Sequence, residues 1–230
     1  MKKPEKSGRP LKVAIVGTSP SSCAKAPYQN DSWEIWSLGG NAMTIPRFTR
    51  WFEMHTQRVL RNALAWEPIF KFLGECGDKL TLGHPCDELP FAKLYPVDEI
   101  KAKFGSYFTS TIAYMIALAI HEGADEIGLW GIDMLADEEY TGQRPCCEYL
   151  LGIARGMGIN VVVAEESPIL RCERMYAYEH TELSAEMAQM MRENQNSLES
   201  AEKNMMEANH LFSYQKGYKD ALKNLHRRFG

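Results

Sequence analysis

The chain has 230 residues, of which 45% are hydrophobic and 24% are charged, and its formal net charge is −4. These values describe a globular domain with room for an appendage. They give no reason to expect a nucleic-acid partner, because general nucleic-acid-binding proteins carry excess positive charge. No apolar run approaches the roughly 20 residues that cross a bilayer, so no membrane partner is expected either.

The chain begins with a basic segment, residues 1–11, that lacks the apolar stretch of a signal peptide. We interpret it as a disordered tail, and an arm that attracts phosphate is the alternative. The six cysteines form no C-x-x-C pair, and their spacing does not match a zinc site. Free thiols in a reducing cytoplasm are therefore expected.

The first ordered element starts at Lys12 and contains a continuous apolar run over residues 13–16, which ends in Gly17 and a cluster of small hydroxyl residues up to Ser22. Such a run is typical of a parallel strand that is buried on both faces. A glycine at its end permits a sharp turn and a close approach of backbone N–H groups to a ligand. The pattern predicts a first strand with a loop that faces phosphate.

The middle of the chain alternates between short strands and helices. Strands are predicted over residues 33–41, within the aromatic segment 47–55, and over 79–82. Apolar spacing predicts a helix over 56–74, interrupted near Pro68, and a second helix over 97–104.

A second strong block follows. Residues 108–124 form an apolar helix with Thr109 or Ser110 as its cap, and residues 126–134 form a strand that ends in Gly-x-Asp. A helix over 146–157, starting after Pro145, and a strand over 159–163 complete the pattern. This alternation predicts an α/β fold, namely a Rossmann-like, doubly wound, mostly parallel sheet over residues 12–178.

The composition changes after residue 178, and we predict a long C-terminal helical extension over residues 179–230. Apolar residues recur there at steps of three and four, with Asn194 in the stripe. One interpretation is a helix that packs back on the same domain. The other is an oligomerisation helix or hairpin over residues 181–229, which would make the protein a homo-oligomer.

Ligands of open parallel sheets bind beyond the carboxyl ends of the strands, where the strand order reverses. The strand assignments place several polar residues at these ends. They are Gly17, Thr18, Ser19, Ser21, Gly40, Asn41, Glu53, His55 and Asp133. Thr109, Ser110 and Thr111 open the apolar helix, where the helix dipole favours an anion.

Each of these residues has an alternative interpretation. The first loop fits an ordinary strand-to-helix turn, since it matches neither a dinucleotide fingerprint nor a P-loop. Asp133 fits a turn residue as well as a ribose or Mg²⁺ ligand. His55 is the best candidate for a general base, with Glu53 orienting it, or is a structural histidine. Arg144 fits a phosphate clamp or a solvated loop residue.

Two motifs resemble a known superfamily. Residues 16–21, Val-Gly-Thr-Ser-Pro-Ser, are similar to the first loop of the bacterial sialyltransferases that use CMP-sialic acid and of the 6-hydroxymethylpterin diphosphokinase-like Rossmann proteins. Residues 109–134 resemble their second signature, a Thr-Ser turn, a buried helix and a strand ending in Gly-Ile-Asp. The resemblance implies contacts to a nucleotide's phosphate and sugar from Gly17, Thr18, Ser19, Ser21, Thr109 and Ser110. The block with its helical tail is also similar to uncharacterised phage-encoded members.

The chain departs from these families at two points. Ser19 stands where a second glycine is usual, and residues 137–148 contain no counterpart of the sialyltransferases' catalytic histidine. We therefore carry three hypotheses forward. The first is a transferase that acts on a nucleotide or nucleotide-sugar donor. The second is a non-catalytic oligomer that binds or sequesters a nucleotide. The third is a structural oligomer in which the Rossmann-like domain no longer binds a ligand.

Overall fold

The fold is built on a seven-stranded sheet in which every pair of neighbouring strands is parallel. In the computed structural model, the described residues are 9–39, 45–62, 66–134, 138–172, 174–176, 178 and 182–229. The strands are β1 Lys12–Val16, β2 Trp33–Leu38, β3 Arg50–Glu53, β4 Leu80–Leu82, β5 Lys93–Leu94, β6 Glu126–Trp130 and β7 Asn160–Val163. Their order is β5-β4-β3-β2-β1-β6-β7. The chain therefore winds outward in one direction to β5 and in the other to β7, and the predicted doubly wound α/β fold is confirmed.

Helices flank this sheet. They are α1 Gln57–Arg61, α2 Trp66–Glu75, α3 Val97–Phe104, α4 Thr111–His121 and α5 Glu138–Gly156. Strand alternation divides the side chains of β1 between the two faces. Val13 and Ile15 pack in the cluster that contains α4 and α5, whereas Ala14 and Val16 pack with Trp33 on the other face. Burial on both faces explains why β1 is apolar at its last four positions, Val13–Val16.

Helix α4 is the most deeply buried helix of the described sheet unit, with eight of its eleven residues buried. Its N-cap is Ser110, whose hydroxyl accepts a hydrogen bond from the Ala113 N–H at 3.2 Å. The left-handed Gly123 follows its C-terminus at φ +76°. The predicted cap and stop of this helix are therefore confirmed.

Helix α5 corrects the sequence prediction, which started this helix after Pro145. The helix begins at Glu138, and Pro145 lies inside it. A proline in the first turn needs no N–H partner, which is why the sequence favoured a start there. An interior proline removes one backbone hydrogen bond and crowds the carbonyl four residues earlier, but the buried residues that follow, such as Cys147 and Leu151, hold the helix against the sheet.

Smaller differences concern the ends of the elements. Residues 56–74 form two helices, α1 and α2, and Pro68 falls in the first turn of α2, where it is tolerated. The two-residue edge strand β5 was not predicted, because its exposed Lys93 and Leu94 carry no periodic pattern. Strand β6 ends at Trp130, four residues before the predicted end, because Gly131 turns the chain at φ +64°.

The chain divides into two compact units, Met1–Arg171 and Cys172–Gly230, and the predicted domain limits at 11 and 178 stay predictions. The second unit contains one continuous helix, α6 Glu182–Phe229, of 48 residues. The predicted helical extension is thus a single helix and not a hairpin. Among the described residues, no helix is both long enough and apolar enough to cross a membrane.

Candidate functional site

A cavity of about 660 Å³ opens at the carboxyl ends of β1 and β6. These strands are neighbours in the sheet, although the chain visits β1 first and β6 sixth. Successive connections leave this point in opposite directions, which makes it the place where an α/β sheet binds ligands. The cavity is lined by Gly17, Thr18, Ser19, Pro20, Leu38, His55, Thr109, Ser110, Thr111, Ile112, Gly131, Ile132, Asp133, Met134 and Gln143.

The carboxylate of Asp133 is held by two serine hydroxyls of the first loop. Ser19 Oγ donates to Oδ2 at 2.5 Å, and Ser21 Oγ donates to Oδ1 at 2.9 Å. Hydrogen bonds to an ionised acceptor are stronger than neutral ones, so this pair fixes the carboxylate against the loop. Ser19 lines the cavity, whereas the predicted site residue Ser21 is not among its lining residues and contacts it only through Asp133.

The two loops that carry these residues approach at Gly17 and Gly131. The Gly17 N–H donates to the Trp130 carbonyl at 2.8 Å, and the Ser19 N–H donates to the Gly131 carbonyl at 2.9 Å. A Cβ at Gly17 would lie 2.4 Å from the Gly131 carbonyl oxygen, which no side chain tolerates. Gly17 therefore permits contact between two loops, and its N–H and that of Ser19 serve the fold and not a phosphate.

Two buried serines support the second loop. Ser22 Oγ accepts from the Gly131 N–H at 2.8 Å, and Ser167 Oγ donates to the Ile132 carbonyl at 2.6 Å. Both side chains are buried. They fix the backbone on either side of Ile132 and thereby the position of Asp133. Ser167 was not singled out from the sequence, because a lone serine after the last strand carries no pattern.

The N-terminus of α4 forms the opposite wall of the cavity. Ser110 Oγ accepts the hydrogen bond of the Ala113 N–H. The N–H groups of Thr111 and Ile112 donate to no acceptor within the described part of the chain. The hydroxyls of Thr109 and Thr111 lie at the same edge. Free N–H groups at the positive end of a helix dipole are a binding site for an anionic group.

Cys147 lies beneath this helix start, with its Sγ 3.6 Å from Ser110 Oγ. Burial raises the pKa of the Cys147 thiol from 9.0 to about 12. The thiol is therefore protonated at neutral pH and is not a nucleophile.

His55 and Glu53 form a pair at the end of β3. Glu53 is buried, and its Oε1 accepts from the His55 backbone N–H at 2.9 Å and lies 2.7 Å from His55 Nδ1. A carboxylate that holds Nδ1–H leaves Nε2 as the basic nitrogen. The imidazole is 60% exposed and lines the cavity, so a ligand can reach it.

Arg144 is not among the residues that line the cavity. Its guanidinium donates to Glu148 at 2.9 Å, to the Pro168 carbonyl at 2.7 Å and to the Arg171 carbonyl at 3.3 Å. Glu148 also accepts from the Leu170 N–H at 3.0 Å. In this structure Arg144 ties the segment after β7 to α5, and contact with a phosphate stays a prediction.

Two further predicted residues, Gly40 and Asn41, lie outside the described residues. Gln143 lines the cavity, although no individual role was predicted for it. It belongs to the first half of α5, which the sequence prediction placed in a loop. The longer helix is what brings Gln143 to the cavity.

The charge of the cavity is low. Of the described lining residues, none is Lys or Arg, and Asp133 and His55 are the ionisable ones. No group of three or more His, Cys, Asp or Glu side chains that could hold a metal occurs among the residues the structure describes. A Mg²⁺ ion would find one carboxylate and the Ser19 hydroxyl oxygen here, and would need phosphate oxygens and water to complete its six ligands.

Comparisons with known proteins find structures that are similar to this chain in fold. No family model and no curated protein sequence matches the chain. The sialyltransferase CstII of Campylobacter jejuni, in complex with the substrate analogue CMP-3FNeuAc, is 17% identical at a TM-score of 0.47, with 72% of this chain and 89% of that chain covered. The monofunctional α-2,3-sialyltransferase Cst-I of the same organism is 14% identical at a TM-score of 0.48, with 85% and 99% covered.

An apo form of α-2,3-sialyltransferase from Campylobacter jejuni is 16% identical at a TM-score of 0.42, with 73% of this chain and 80% of that chain covered. The structural similarity to bacterial sialyltransferases that the two motifs predicted is thus confirmed over most of the chain, at low sequence identity. The likenesses to pterin diphosphokinases and to phage-encoded proteins stay predictions.

Proposed function

We propose that the protein binds a nucleotide or nucleotide-sugar in the cavity between β1 and β6, and that it transfers the group which the nucleotide carries. The observation that supports this most is the convergence of the Asp133 carboxylate and the open N-terminus of α4 on one cavity of about 660 Å³. Such a cavity offers acceptors for ribose hydroxyls and donors for a phosphate, which are the two polar parts of every nucleotide.

The two ends of the ligand would be recognised by different walls. Asp133, with the hydroxyl oxygen of Ser19, would accept hydrogen bonds from a ribose diol. The N–H groups of Thr111 and Ile112, with the hydroxyls of Thr109 and Thr111, would donate to the phosphate. Gly17 and Thr18 would lie along the nucleotide between them.

The low charge of the cavity favours a donor with few negative charges. Without Lys or Arg among the described lining residues, one helix terminus must compensate the phosphate charge. A helix terminus carries about half an elementary charge. A nucleoside monophosphate linked to a sugar, with one phosphate charge, fits that better than a nucleoside triphosphate does.

In the transfer step, the bond between the sugar's anomeric carbon and the phosphate oxygen breaks and a bond to an acceptor hydroxyl oxygen forms. The nucleoside monophosphate leaves with the electron pair, and the α4 N-terminus would stabilise that charge. His55 Nε2 would take the acceptor's proton, with Glu53 fixing the ring through Nδ1 at 2.7 Å. Where Mg²⁺ takes part, Asp133 and the Ser19 oxygen would hold it and it would neutralise phosphate charge.

A second function, binding without transfer, is favoured by the sparse acid and base groups. Asp133 is engaged by two hydroxyls, which leaves His55 as the candidate base among the described lining residues. An oligomer that sequesters a nucleotide would need the same cavity and no base at all.

Calorimetric titration and a turnover assay on the full chain separate these functions. We expect CMP and CMP-sialic acid to bind more tightly than ATP, with and without Mg²⁺. We also expect Asp133→Asn to weaken CMP binding at least tenfold, about 1.4 kcal/mol. The matched control is Asp87→Asn. Asp87 is exposed and does not line the cavity, so this substitution removes the same charge elsewhere.

The role of His55 as the general base is tested by the release of CMP from CMP-sialic acid in the presence of oligosaccharide acceptors. Loss of release in His55→Asn with unchanged affinity for CMP supports a catalytic His55. Binding of CMP-sialic acid and of UDP-sugars without release of any nucleotide contradicts the transferase and leaves the binding protein. The absence of binding by every nucleotide contradicts both.

A further inference from the structure

Helix α6 carries an apolar stripe whose spacing is symmetric about Ala208. Toward the N-terminus, stripe residues follow at steps of 3, 4, 3, 4, 3 and 4 from Ala208 to Met187. Toward the C-terminus, they follow at steps of 3, 4, 3, 4 and 3 from Ala208 to Leu225. The average step is close to the 3.5 residues of a left-handed coiled coil. The large apolar side chains of this stripe are each 50–72% exposed.

A stripe that is the same in both directions fits a second, antiparallel copy of itself. With a two-fold axis at Ala208, Met205 faces Leu211 of the second copy, Leu198 faces Tyr218 and Met191 faces Leu225. Two-fold symmetric pairing of one surface with itself is the commonest arrangement of homo-oligomers. In this register the polar stripe residues Asn194 and Gln215 face Leu222 and Ala201 of the second copy, so the register rests on the apolar spacing and on the charges along α6.

The charges of α6 are segregated along its length. Residues 182–207 carry six acidic and two basic side chains, whereas residues 208–229 carry five basic and one acidic. A parallel pair would place like charges beside each other over both halves. An antiparallel pair places the acidic half of each helix beside the basic half of the other, and complementary charge selects the partner and the orientation.

From the spacing and the charge together, we propose that α6 joins two copies of the chain as an antiparallel coiled coil centred on Ala208. The partner is thus a second copy of this chain. This pairing uses the helix of the second unit, and it does not depend on what the cavity of the first unit binds.

The first experiment measures the mass of the full chain by multi-angle light scattering over a wide range of concentration. We expect the mass of a dimer, and a shift toward the monomer in Met205→Asp. The matched control is Met206→Asp, because Met206 is exposed on the same helix, one position off the stripe. A monomer at every concentration overturns the proposal, as does equal dissociation by both variants.

The second experiment tests orientation by disulfide formation in a Cys172→Ser background, since Cys172 is exposed. Chains with Leu198→Cys and chains with Tyr218→Cys are oxidised separately and as a mixture. We expect an intermolecular disulfide only in the mixture. In an antiparallel pair, position 198 of one chain lies 20 residues, about 30 Å, from position 198 of the other, so neither variant can form this disulfide alone.

A parallel pair gives the opposite result, because each position then faces itself and each variant forms the disulfide alone. That outcome overturns the antiparallel arrangement, and so does the absence of a disulfide in all three samples when the mass is that of a dimer. The Cys172→Ser chain without an added cysteine controls for the five remaining thiols.

Discussion

The hydroxyl of Ser19 lies 2.5 Å from Oδ2 of Asp133, although 114 positions separate the two residues in the chain. The contact exists because β1 and β6 are neighbours in the sheet and both strands end at the same edge. It joins the two loops that build one side of the candidate site. Energetic coupling between these residues is therefore the first property to measure.

A double-mutant cycle measures this coupling. We expect the free energy of unfolding of Ser19→Ala, Asp133→Asn and the double variant to be non-additive by about 0.5–3 kcal/mol in urea titrations. Ser32 is the control, because its hydroxyl donates to Asn30 just before β2 and not to Asp133. The changes in unfolding free energy of Ser32→Ala and Asp133→Asn should therefore add in the double variant. Additive behaviour of Ser19 and Asp133 would mean that the hydrogen bond does not form in solution.

The close approach of Gly17 and Gly131 predicts intolerance to a methyl group. Gly17→Ala would bring a Cβ to 2.4 Å from the Gly131 carbonyl oxygen and 2.7 Å from Ile132 Cγ1. We expect a loss of stability of about 1–3 kcal/mol, as for other overpacked sites. Gly74→Ala is the matched control, because a Cβ there meets nothing within 4 Å and the residue lies in α2. Equal stability of the two variants would contradict the loop geometry.

We predict that Arg144 stabilises the folded protein and does not bind the phosphate of a ligand. Its guanidinium bonds the Pro168 and Arg171 carbonyls and Glu148, so Arg144→Ala leaves several acceptors without a donor. We expect a loss of about 1–3 kcal/mol in urea titrations, while the affinity for CMP stays within a few-fold. Arg155→Ala, an exposed arginine of the same helix, is the control. A large loss of affinity with unchanged stability would instead support the phosphate clamp.

The burial of the Cys147 thiol predicts that the stability of the protein falls at alkaline pH. Burial raises the pKa of its thiol from 9.0 to about 12, so the folded protein holds the proton more tightly than the unfolded chain. The stability that this contributes is complete below pH 9 and is lost as the pH rises from 9 toward 12. Cys147→Ala should flatten this decline in urea titrations, whereas Cys172→Ala, at an exposed site, should not. An identical decline in both variants would contradict the buried thiol.

Much of the fold was predictable because β1 and α4 carry local signals. Four of the five residues of β1 are buried, and α4 has both a serine cap and a glycine stop. The start of α5 was missed because residues 138–144 are polar and Pro145 suggested a first turn. Tertiary packing of the second half of that helix outweighed its weak local signal.

The candidate site was predictable in its location but not in its bonding. Residues at the ends of separate strands were expected to converge, and Ser19, Ser110 and Asp133 do so. Their partners depend on which strands are neighbours and on the positive φ of Gly131, which no local pattern specifies. For the same reason, the use of the Gly17 and Ser19 N–H groups within the fold could not be foreseen.

The most direct test of the proposed nucleotide site is a ¹⁵N–¹H NMR titration of the full chain with CMP. We expect saturable shifts of the Thr111 and Ile112 amide signals, because these N–H groups donate to no acceptor among the described residues and can donate to a phosphate. We expect no shift of the Gly217 signal in α6. Saturable binding that leaves the Thr111 and Ile112 signals unmoved would contradict the proposed site, because the phosphate would then lie elsewhere on the protein.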